Sequence, residues 1–146
     1  MPNSLTRPEP RILLVDDNPV DVLLIKKALA NGGFRNTPVV VDDGEPALEL
    51  LQGQGQFAGE SLPDFIILDL NLRRVDGGEV LKFIRGHAEL NALRVIILSS
   101  SPEEVMRSNA VQADCYIQKP TDVASFQNLG KQISAFYWGE TTSGAT

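Results

Sequence analysis

Short, unbroken apolar runs alternate with helical patterns along most of this 146-residue chain, and this alternation constrains its fold more than any other feature. An apolar run without polar interruption is typical of a strand that is buried on both faces of a sheet. Five such runs occur, at Ile12–Val15, Val39–Val41, Phe65–Leu68, Val95–Leu98 and Tyr116–Ile117. Strands that alternate with helices predict a parallel sheet with right-handed crossovers and helices on both faces.

Capping and periodicity signals predict five helices between and after these runs. The first has Asn18 as its N-cap and Pro19 at its first position, where proline is well tolerated. The second follows Asp42-Asp43, which is interpreted as a helix cap at the outer edge of the sheet. The third is predicted from about Asp76, which is interpreted as its cap, to Arg85. A capping box at Ser101–Glu104 opens the fourth. The fifth carries an apolar stripe of Val123, Phe126, Leu129, Ile133 and Phe136.

The predicted fold class is α/β, with a doubly wound, flavodoxin-like sheet of five parallel strands in the order 2-1-3-4-5 and five helices. Pro38 stands at the start of the second run and supports an edge position for that strand, because proline lacks the N–H that an inner strand would donate. The folded domain is expected to span residues 11–138. A proline-rich arm at residues 1–10 and a tail at residues 139–146 are expected to be flexible.

Composition excludes several classes of function. The formal net charge is −6, and the chain lacks the clustered Lys and Arg that a nucleic-acid surface requires, so no nucleic acid is expected as a partner. The single cysteine, Cys115, excludes an internal disulfide framework. The start of the chain lacks the apolar run of a signal peptide, and no segment approaches the ~20 apolar residues that cross a bilayer. A cytoplasmic location away from membranes is therefore expected.

Polar residues stand at the ends of four of the predicted strands. The first strand is followed by Asp16 and Asp17, the third by Asp69, the fourth by Ser99 and, one residue further on, the fifth by Lys119. In doubly wound sheets, ligands bind beyond the carboxyl ends of the strands, where the strand order reverses. Each residue alone has a plain explanation as a turn, cap or solvated side chain. The convergence of all five at one edge is what predicts a site.

The charges of these residues indicate what the site would bind. Two carboxylates ~4 Å apart repel each other by about 4 kcal/mol at an effective dielectric constant of about 20, so three of them need protons or a cation. Mg²⁺ prefers oxygen ligands and commonly binds one or two carboxylates together with a phosphate oxygen. One Mg²⁺ and the Lys119 ammonium would cancel the three negative charges. The sequence therefore predicts a divalent metal and a site that handles phosphate.

Four motifs carry a resemblance to a known family: LLVDDNP, IILDLNL..VDG, VIILSSS and YIQKP. In their order and spacing, the chain resembles the receiver domain of two-component response regulators over about residues 11–138. The opening DDNPVDVLLIKKAL, the long loop before the third strand and the form DLNL are most similar to the small regulators without an effector domain that are paired with cyanobacterial phytochromes and bacteriophytochrome kinases.

The resemblance implies roles for the acidic residues. Asp69 would accept a phosphoryl group from a phosphohistidine of a sensor histidine kinase. Asp17 would bind Mg²⁺, or Mn²⁺, together with Asp69 and the backbone carbonyl of Asn71. Asp16 would contribute mainly through a water molecule on the metal. No organic cofactor is implied, and the turn DDNPVD lacks the glycines of a dinucleotide site.

The resemblance also implies a switch. Ser99 would turn its hydroxyl toward one phosphoryl oxygen, and Lys119 would pair with another. Tyr116 matches the aromatic switch position of the family, with a core tyrosine at a strand edge as the alternative. Arg73 departs from the family pattern, which usually has proline four residues after the acceptor, so the rigidity of this loop and the lifetime of the phosphate are open. Arg73 and Arg74 are interpreted as a solvated pair, with an acidic partner as the alternative.

The leading hypothesis is a signalling protein that is not an enzyme acting on a separate substrate. It would assist its own phosphotransfer and slow autodephosphorylation, and it would signal through protein contacts with a downstream phosphotransfer or target protein. Phe136, Tyr137 and Trp138 cannot all face the core, so a homodimer through the fourth helix, fifth strand and fifth helix is expected. One alternative is a degenerate receiver that serves as an interaction module without phosphorylation. Another is a Mg²⁺-dependent phosphohydrolase, although its nucleophile usually follows the first strand.

Overall fold

Five parallel strands form the centre of the molecule in the computed structural model, which describes residues 9–59, 61–100 and 113–139. They are β1 (Ile12–Val15), β2 (Val39–Val41), β3 (Phe65–Asp69), β4 (Arg94–Ser99) and β5 (Cys115–Gln118). Their order is β2-β1-β3-β4-β5, which confirms the predicted flavodoxin-like sheet. β2 is an edge strand, as the proline that precedes it indicated.

Four α-helices and one short 3-10 helix accompany the sheet in the described part of the chain. They are α1 (Pro19–Asn31), α2 (Gly44–Gln52), the 3-10 helix (Gly55–Phe57), α3 (Gly77–Arg85) and α4 (Val123–Trp138). Helix α4 corresponds to the predicted fifth helix. The predicted fourth helix, with its capping box at Ser101–Glu104, lies outside the described residues. None of the helices in the described ranges has the length and apolar composition needed to cross a membrane.

The predicted caps account for where three of these helices begin. Asn18 Oδ1 accepts the backbone N–H groups of Val20 and Asp21 at 2.9 and 3.2 Å, and proline follows it at the first helical position. The carboxylate of Asp43 caps α2, and that of Asp76 caps α3. Each cap satisfies N–H groups that have no partner within their own helix.

Each face of the sheet is covered by its own buried apolar cluster, because successive residues of a strand point to opposite faces. One cluster joins the sheet to α2 and α3, and its fully buried members include Leu13, Ile66, Val95, Leu81 and Ile84. The other joins the sheet to α1 and α4, and its members include Leu14, Phe65, Ile96, Ile25 and Leu129. The central strands are therefore buried on both faces, as their unbroken apolar runs predicted.

Helices α1 and α4 pack backbone against backbone on one face. A Cβ atom added to Gly130 would collide with the carbonyl group of Ala28, and one added to Gly32 would collide with the backbone of Gly130. Side chains would hold the two helices further apart. This close packing holds the last turn of α1 against the middle of α4.

The C-terminal helix differs from its predicted pattern at both ends. Val123 is 62% exposed and does not join the apolar stripe, because the first residue of the helix lies beyond the edge of the core. At the other end, Trp138 stacks on Phe34 with ring centroids 4.6 Å apart. Tyr137 lies against Phe65 at 5.0 Å. The aromatic side chains at the end of α4 thus pack largely against other residues of the same chain. The homodimer stays a prediction.

Candidate functional site

The carboxyl ends of four strands bring the predicted site residues to one edge of the sheet. Asp69 and Ser99 are the last residues of β3 and β4, and both are buried. Asp16 follows β1 directly, and its N–H group donates to the carbonyl of Val41. The N–H group of Lys119 donates to the carbonyl of Ser99 at 2.7 Å. Parallel pairing therefore places these residues next to one another, although they are distant in sequence.

Lys119 is at the centre of this cluster, with a side chain only 10% exposed. Its Nζ atom donates one hydrogen bond to each of three carboxylates, at 3.0 Å to Asp16, 3.0 Å to Asp21 and 3.1 Å to Asp69. An ammonium group has three N–H donors, so these bonds use all of them. Asp16 and Asp69 are sequence-predicted site residues. Asp21 is not.

Both sides of the ion pair between Lys119 and Asp69 have a pKa that departs from its ordinary value. Burial raises the pKa of Asp69, and the result is about 6 even though the Lys119 ammonium and the N–H group of Asn71 lower it. Burial lowers the pKa of Lys119, but the carboxylates of Asp69 and Asp16 outweigh burial and raise it above its ordinary value. Burial is thus the main cause of the raised pKa of Asp69, and the surrounding carboxylates are the cause of the raised pKa of Lys119. Because one ammonium faces three carboxylates, the site would gain from a second cation.

Three of the acids have the arrangement of a divalent-metal site. Asp16, Asp17 and Asp69 each offer a carboxylate oxygen, and these oxygens lie within 4.8 Å of one another. Oxygen ligands and surplus negative charge are what Mg²⁺ and Mn²⁺ prefer. Backbone groups orient two of the carboxylates, since Asn18 N–H donates to Asp16 at 2.9 Å and Asn71 N–H donates to Asp69 at 3.1 Å. The residues present thus fit a divalent cation.

The two residues with predicted switch roles differ in their exposure. Ser99 is buried at the end of β4, next to the backbone of Lys119. Tyr116 is 40% exposed, and its hydroxyl accepts the N–H group of Ala113 at 3.4 Å. The alternative of a core tyrosine is therefore wrong, because β5 is an edge strand whose residues alternate between half-buried and exposed. The switch roles themselves stay predictions.

Asp43 makes contacts that its role as a helix cap did not predict. Its carboxylate accepts the N–H group of Gly44 at 2.7 Å, and those of Arg74 and Val75 at 3.1 and 3.0 Å. Burial raises the pKa of Asp43, but these donors outweigh burial and lower it below its ordinary value. Asp43 therefore braces the loop that follows Asp69, although its strand is at the outer edge of the sheet. The sequence signal for this contact is that a pair of acids follows each of two adjacent strands, β1 and β2.

Asp21 is the second residue that sequence reasoning missed. The sequence marks it only as an acidic residue three positions after the cap Asn18, in the first turn of a helix, where such residues are common. Its Oδ2 atom accepts from Lys119, 98 positions away in the chain. The signal that could have found it is its position, because the first turn of α1 begins at the same sheet edge as Asp16 and Asp17.

Arg73 and Arg74 lie in the loop after β3, with side chains 80% and 78% exposed. Arg73 Nε is 3.8 Å from a carboxylate oxygen of Asp17, and Arg74 Nη1 is 3.9 Å from Glu45. Ion pairs this long and exposed contribute little to stability. Both arginines line a groove of about 440 Å³ that also exposes Asp17 and Asp42. The contacts agree with the interpretation of a solvated pair.

Residues 12–129 match the family of response regulator receiver domains. The chain belongs to this family. The response regulator Rcp1 of Synechocystis sp. is 31% identical over 140 residues, which cover 94% of this chain and 95% of Rcp1. The regulator family and its two-component signalling context therefore follow from the sequence match as well as from the motifs.

Solved structures of receiver domains agree with this assignment. The phosphorylated cyanobacterial phytochrome response regulator RcpA superposes with a TM-score of 0.83 at 36% identity, covering 90% of this chain and 95% of RcpA. The Mn²⁺-bound form of Rcp1 superposes with a TM-score of 0.79 at 30% identity, covering 88% and 94%. The bacteriophytochrome response regulator RtBRR has a TM-score of 0.74 at 34% identity, covering 87% and 78%. The predicted similarity to phytochrome-associated regulators is confirmed.

Proposed function

We propose that this protein is a response regulator that accepts a phosphoryl group from a sensor histidine kinase on Asp69 and signals through contacts that depend on phosphorylation. The observation that carries the proposal is the position of the Asp69 carboxylate. It lies buried at a strand end, 3.1 Å from the Lys119 ammonium and within 4.8 Å of the carboxylate oxygens of Asp16 and Asp17. Phosphoryl transfer depends mainly on an aligned nucleophile and on stabilisation of charge.

A divalent cation is part of the proposal. Asp16, Asp17 and Asp69, with the backbone carbonyl of Asn71, would hold Mg²⁺ or Mn²⁺. The similarity of this chain to the Mn²⁺-bound form of Rcp1 supports this choice. The cation would neutralise negative charge on the phosphoryl oxygens, which the protein could not do with Lys119 alone. No other cofactor is proposed.

The chain's own residues perform the transfer. A carboxylate oxygen of Asp69 attacks the phosphorus of a phosphohistidine, an O–P bond forms, and the P–N bond breaks with its electron pair left on the imidazole nitrogen. Lys119 donates to one oxygen of the transferred group, and the Ser99 hydroxyl donates to another. Slow autodephosphorylation reverses the state, as water attacks the phosphorus and releases phosphate and the Asp69 carboxylate. The carboxylate must be ionised to act as a nucleophile, and Lys119 favours that form.

The signalling output is proposed to be a change of protein contacts. Movement of Ser99 toward the phosphoryl group, with Tyr116 as the aromatic switch, would change the surface around β5 and α4. This surface would contact a downstream phosphotransfer or target protein, or a second copy of the chain in a homodimer. The receiver is proposed to occupy residues 11–138 and to act in the cytoplasm.

Labelling with acetyl phosphate in Mg²⁺ tests the acceptor role. The wild-type protein is expected to gain the mass of one phosphoryl group, and the Asp69→Asn variant is expected to gain none. An Asp42→Asn variant, which removes an exposed acid of the neighbouring loop, should label like wild type. Chelation of the metal should prevent labelling. Wild-type protein that stays unlabelled would contradict the proposal and favour the degenerate receiver.

Transfer from purified kinases tests the proposed partner. Similarity to the phytochrome response regulator RcpA and the bacteriophytochrome response regulator RtBRR supports a kinase of the phytochrome type. An autophosphorylated phytochrome kinase should lose its label to this protein much faster than an unrelated histidine kinase does. Equal rates of transfer from the two kinases would contradict the proposed pairing with a phytochrome kinase but not the acceptor role of Asp69.

A further inference from the structure

Asp21 is joined to the centre of the site but stands outside the group of acids that fits a metal. Its Oδ2 atom is 3.0 Å from Lys119 Nζ, as close as that of Asp16. Among the described residues, the carboxylates grouped within 4.8 Å of one another are those of Asp16, Asp17 and Asp69. Asp21 therefore adds a negative charge against the lysine without helping to hold the cation.

The hydrogen bonds of Lys119 leave no donor for a new acceptor. All three N–H groups of its ammonium are used by Asp16, Asp21 and Asp69. A phosphoryl group on Asp69 brings oxygens with more negative charge than the carboxylate it replaces. The donor that Lys119 gives to Asp69 can pass to that group, whereas the charges of Asp16 and Asp21 hold the ammonium in its present place. Any larger movement of the ammonium weakens one of those two contacts.

We propose that Asp21 is a positioning residue that competes with the phosphoryl group for the Lys119 ammonium and so restrains phosphorylation of Asp69. The proposal rests on the proposed function. Asp16 is almost fully buried, so water cannot replace the lysine beside its carboxylate. The Asp21 side chain is 22% exposed, so water can replace the lysine there. Asp21 is thus the partner that Lys119 leaves at the lowest cost.

The position of Asp21 is fixed by the backbone around it. Its N–H group donates to the Asn18 side chain at 3.2 Å, within the cap of α1. Helix α1 in turn packs against the backbone of α4 at Gly32 and Gly130. The backbone of Asp21 is therefore held in place when the lysine moves toward a phosphoryl group, and only the short side chain of Asp21 can follow the lysine.

Binding of beryllofluoride, a non-covalent phosphoryl analogue, tests this competition at saturating Mg²⁺ by ¹⁹F NMR titration. Asp21→Asn and Asp21→Ala are expected to bind the analogue about threefold to tenfold more tightly than wild type, because one competing charge is gone. Asp21→Glu, which restores the carboxylate, should return toward wild-type affinity. A purely structural role of Asp21 would give a loss of affinity in all three variants.

Asp42→Asn is the matched control, since it removes one exposed acid from the same edge of the sheet while the three Lys119 contacts stay in place. Its affinity for beryllofluoride should change by less than about twofold. Equal effects of Asp21→Asn and Asp42→Asn, or weaker binding by Asp21→Asn, would overturn the proposal. If the wild-type protein failed to bind the analogue at all, the proposed function would fall, and this inference with it.

Discussion

Two pairs of adjacent aspartates follow two neighbouring parallel strands, and the structure uses them differently. Asp16 and Asp17 follow β1, whereas Asp42 and Asp43 follow β2. In each pair one member is buried. Buried Asp16 contacts the Lys119 ammonium and lies beside other acids, whereas the carboxylate of Asp43 accepts the backbone N–H groups of Gly44, Arg74 and Val75.

The difference follows from the strand that lies on the far side of each pair. β1 is flanked by β3, so its carboxyl end faces the carboxyl end of a second acidic strand across the point where the strand order reverses. β2 is the edge strand, and its acids meet only the start of α2 and the loop after β3. An acid surrounded by N–H donors is satisfied in the metal-free protein. A group of acids that shares one ammonium keeps negative charge that a cation can neutralise.

Removal of one charge from each pair should distinguish the two pairs most clearly by its effect on metal affinity. Asp16→Asn is expected to weaken Mn²⁺ binding by about tenfold to a hundredfold, because it removes a carboxylate from the group that fits the metal. Asp43→Asn should change it by less than about threefold, since backbone donors already satisfy that acid. Titration followed by Mn²⁺ electron paramagnetic resonance measures both. Similar losses in the two variants would show that net charge alone decides the affinity.

The free energy of unfolding should depend strongly on Asp43, although the metal affinity should not. Asp43→Ala is expected to lower the free energy of unfolding of the metal-free protein by about 1–3 kcal/mol, because it removes a helix cap and leaves the N–H groups of Arg74 and Val75 without their acceptor. Asp42→Ala, at the exposed position beside it, should stay within about 0.5 kcal/mol of wild type. Urea unfolding monitored by circular dichroism measures the difference. Equal values for the two variants would exclude the bracing role of Asp43.

The pH dependence of stability should also distinguish the two regions, because the pKa of Asp69 is raised whereas that of Asp43 is lowered. Asp69 has its pKa raised from 3.8 to about 6, so the folded state takes up its proton first and Asp69 destabilises the metal-free protein above about pH 6. That cost disappears as the pH falls from about 6 toward about 4. Asp43 has a lowered pKa, so its stabilisation is present above 3.8 and is lost as the pH falls below that value.

Unfolding of Asp69→Asn and Asp43→Asn across pH measures these contributions by subtraction from wild type. Relative to Asp69→Asn, the metal-free wild-type protein should gain about 1–2 kcal/mol between about pH 7 and pH 5. Relative to Asp43→Asn, it should lose stability only below about pH 4. A wild-type curve parallel to that of Asp69→Asn would mean that Asp69 is not destabilised by burial.

The sequence predicted the strands and their order well, because unbroken apolar runs reflect burial on both faces and need no knowledge of distant contacts. It predicted the strand ends less well. Asp69 and Ser99 extend their strands by one residue although both are polar, because the backbone pairing continues one residue beyond the apolar run. The predicted acids and Lys119 meet because parallel strands end at one edge. The contact of Asp21 with Lys119 was missed because it depends on how α1 packs, which no local pattern records.

The smallest effect is expected from Arg73, which lies between the two regions in the loop that Asp43 braces. Its guanidinium Nε is 3.8 Å from an Asp17 oxygen and competes weakly with a cation for that acid. Arg73→Ala should therefore tighten Mn²⁺ binding by about twofold, whereas Arg74→Ala, whose guanidinium lies 3.9 Å from Glu45, should leave it unchanged. The two variants remove the same charge from adjacent exposed positions, so a difference between them measures the Asp17 contact alone. Because an exposed pair is screened by salt, the gain in Arg73→Ala should shrink as ionic strength rises, and a gain that persisted at high salt would point to a change in the loop itself.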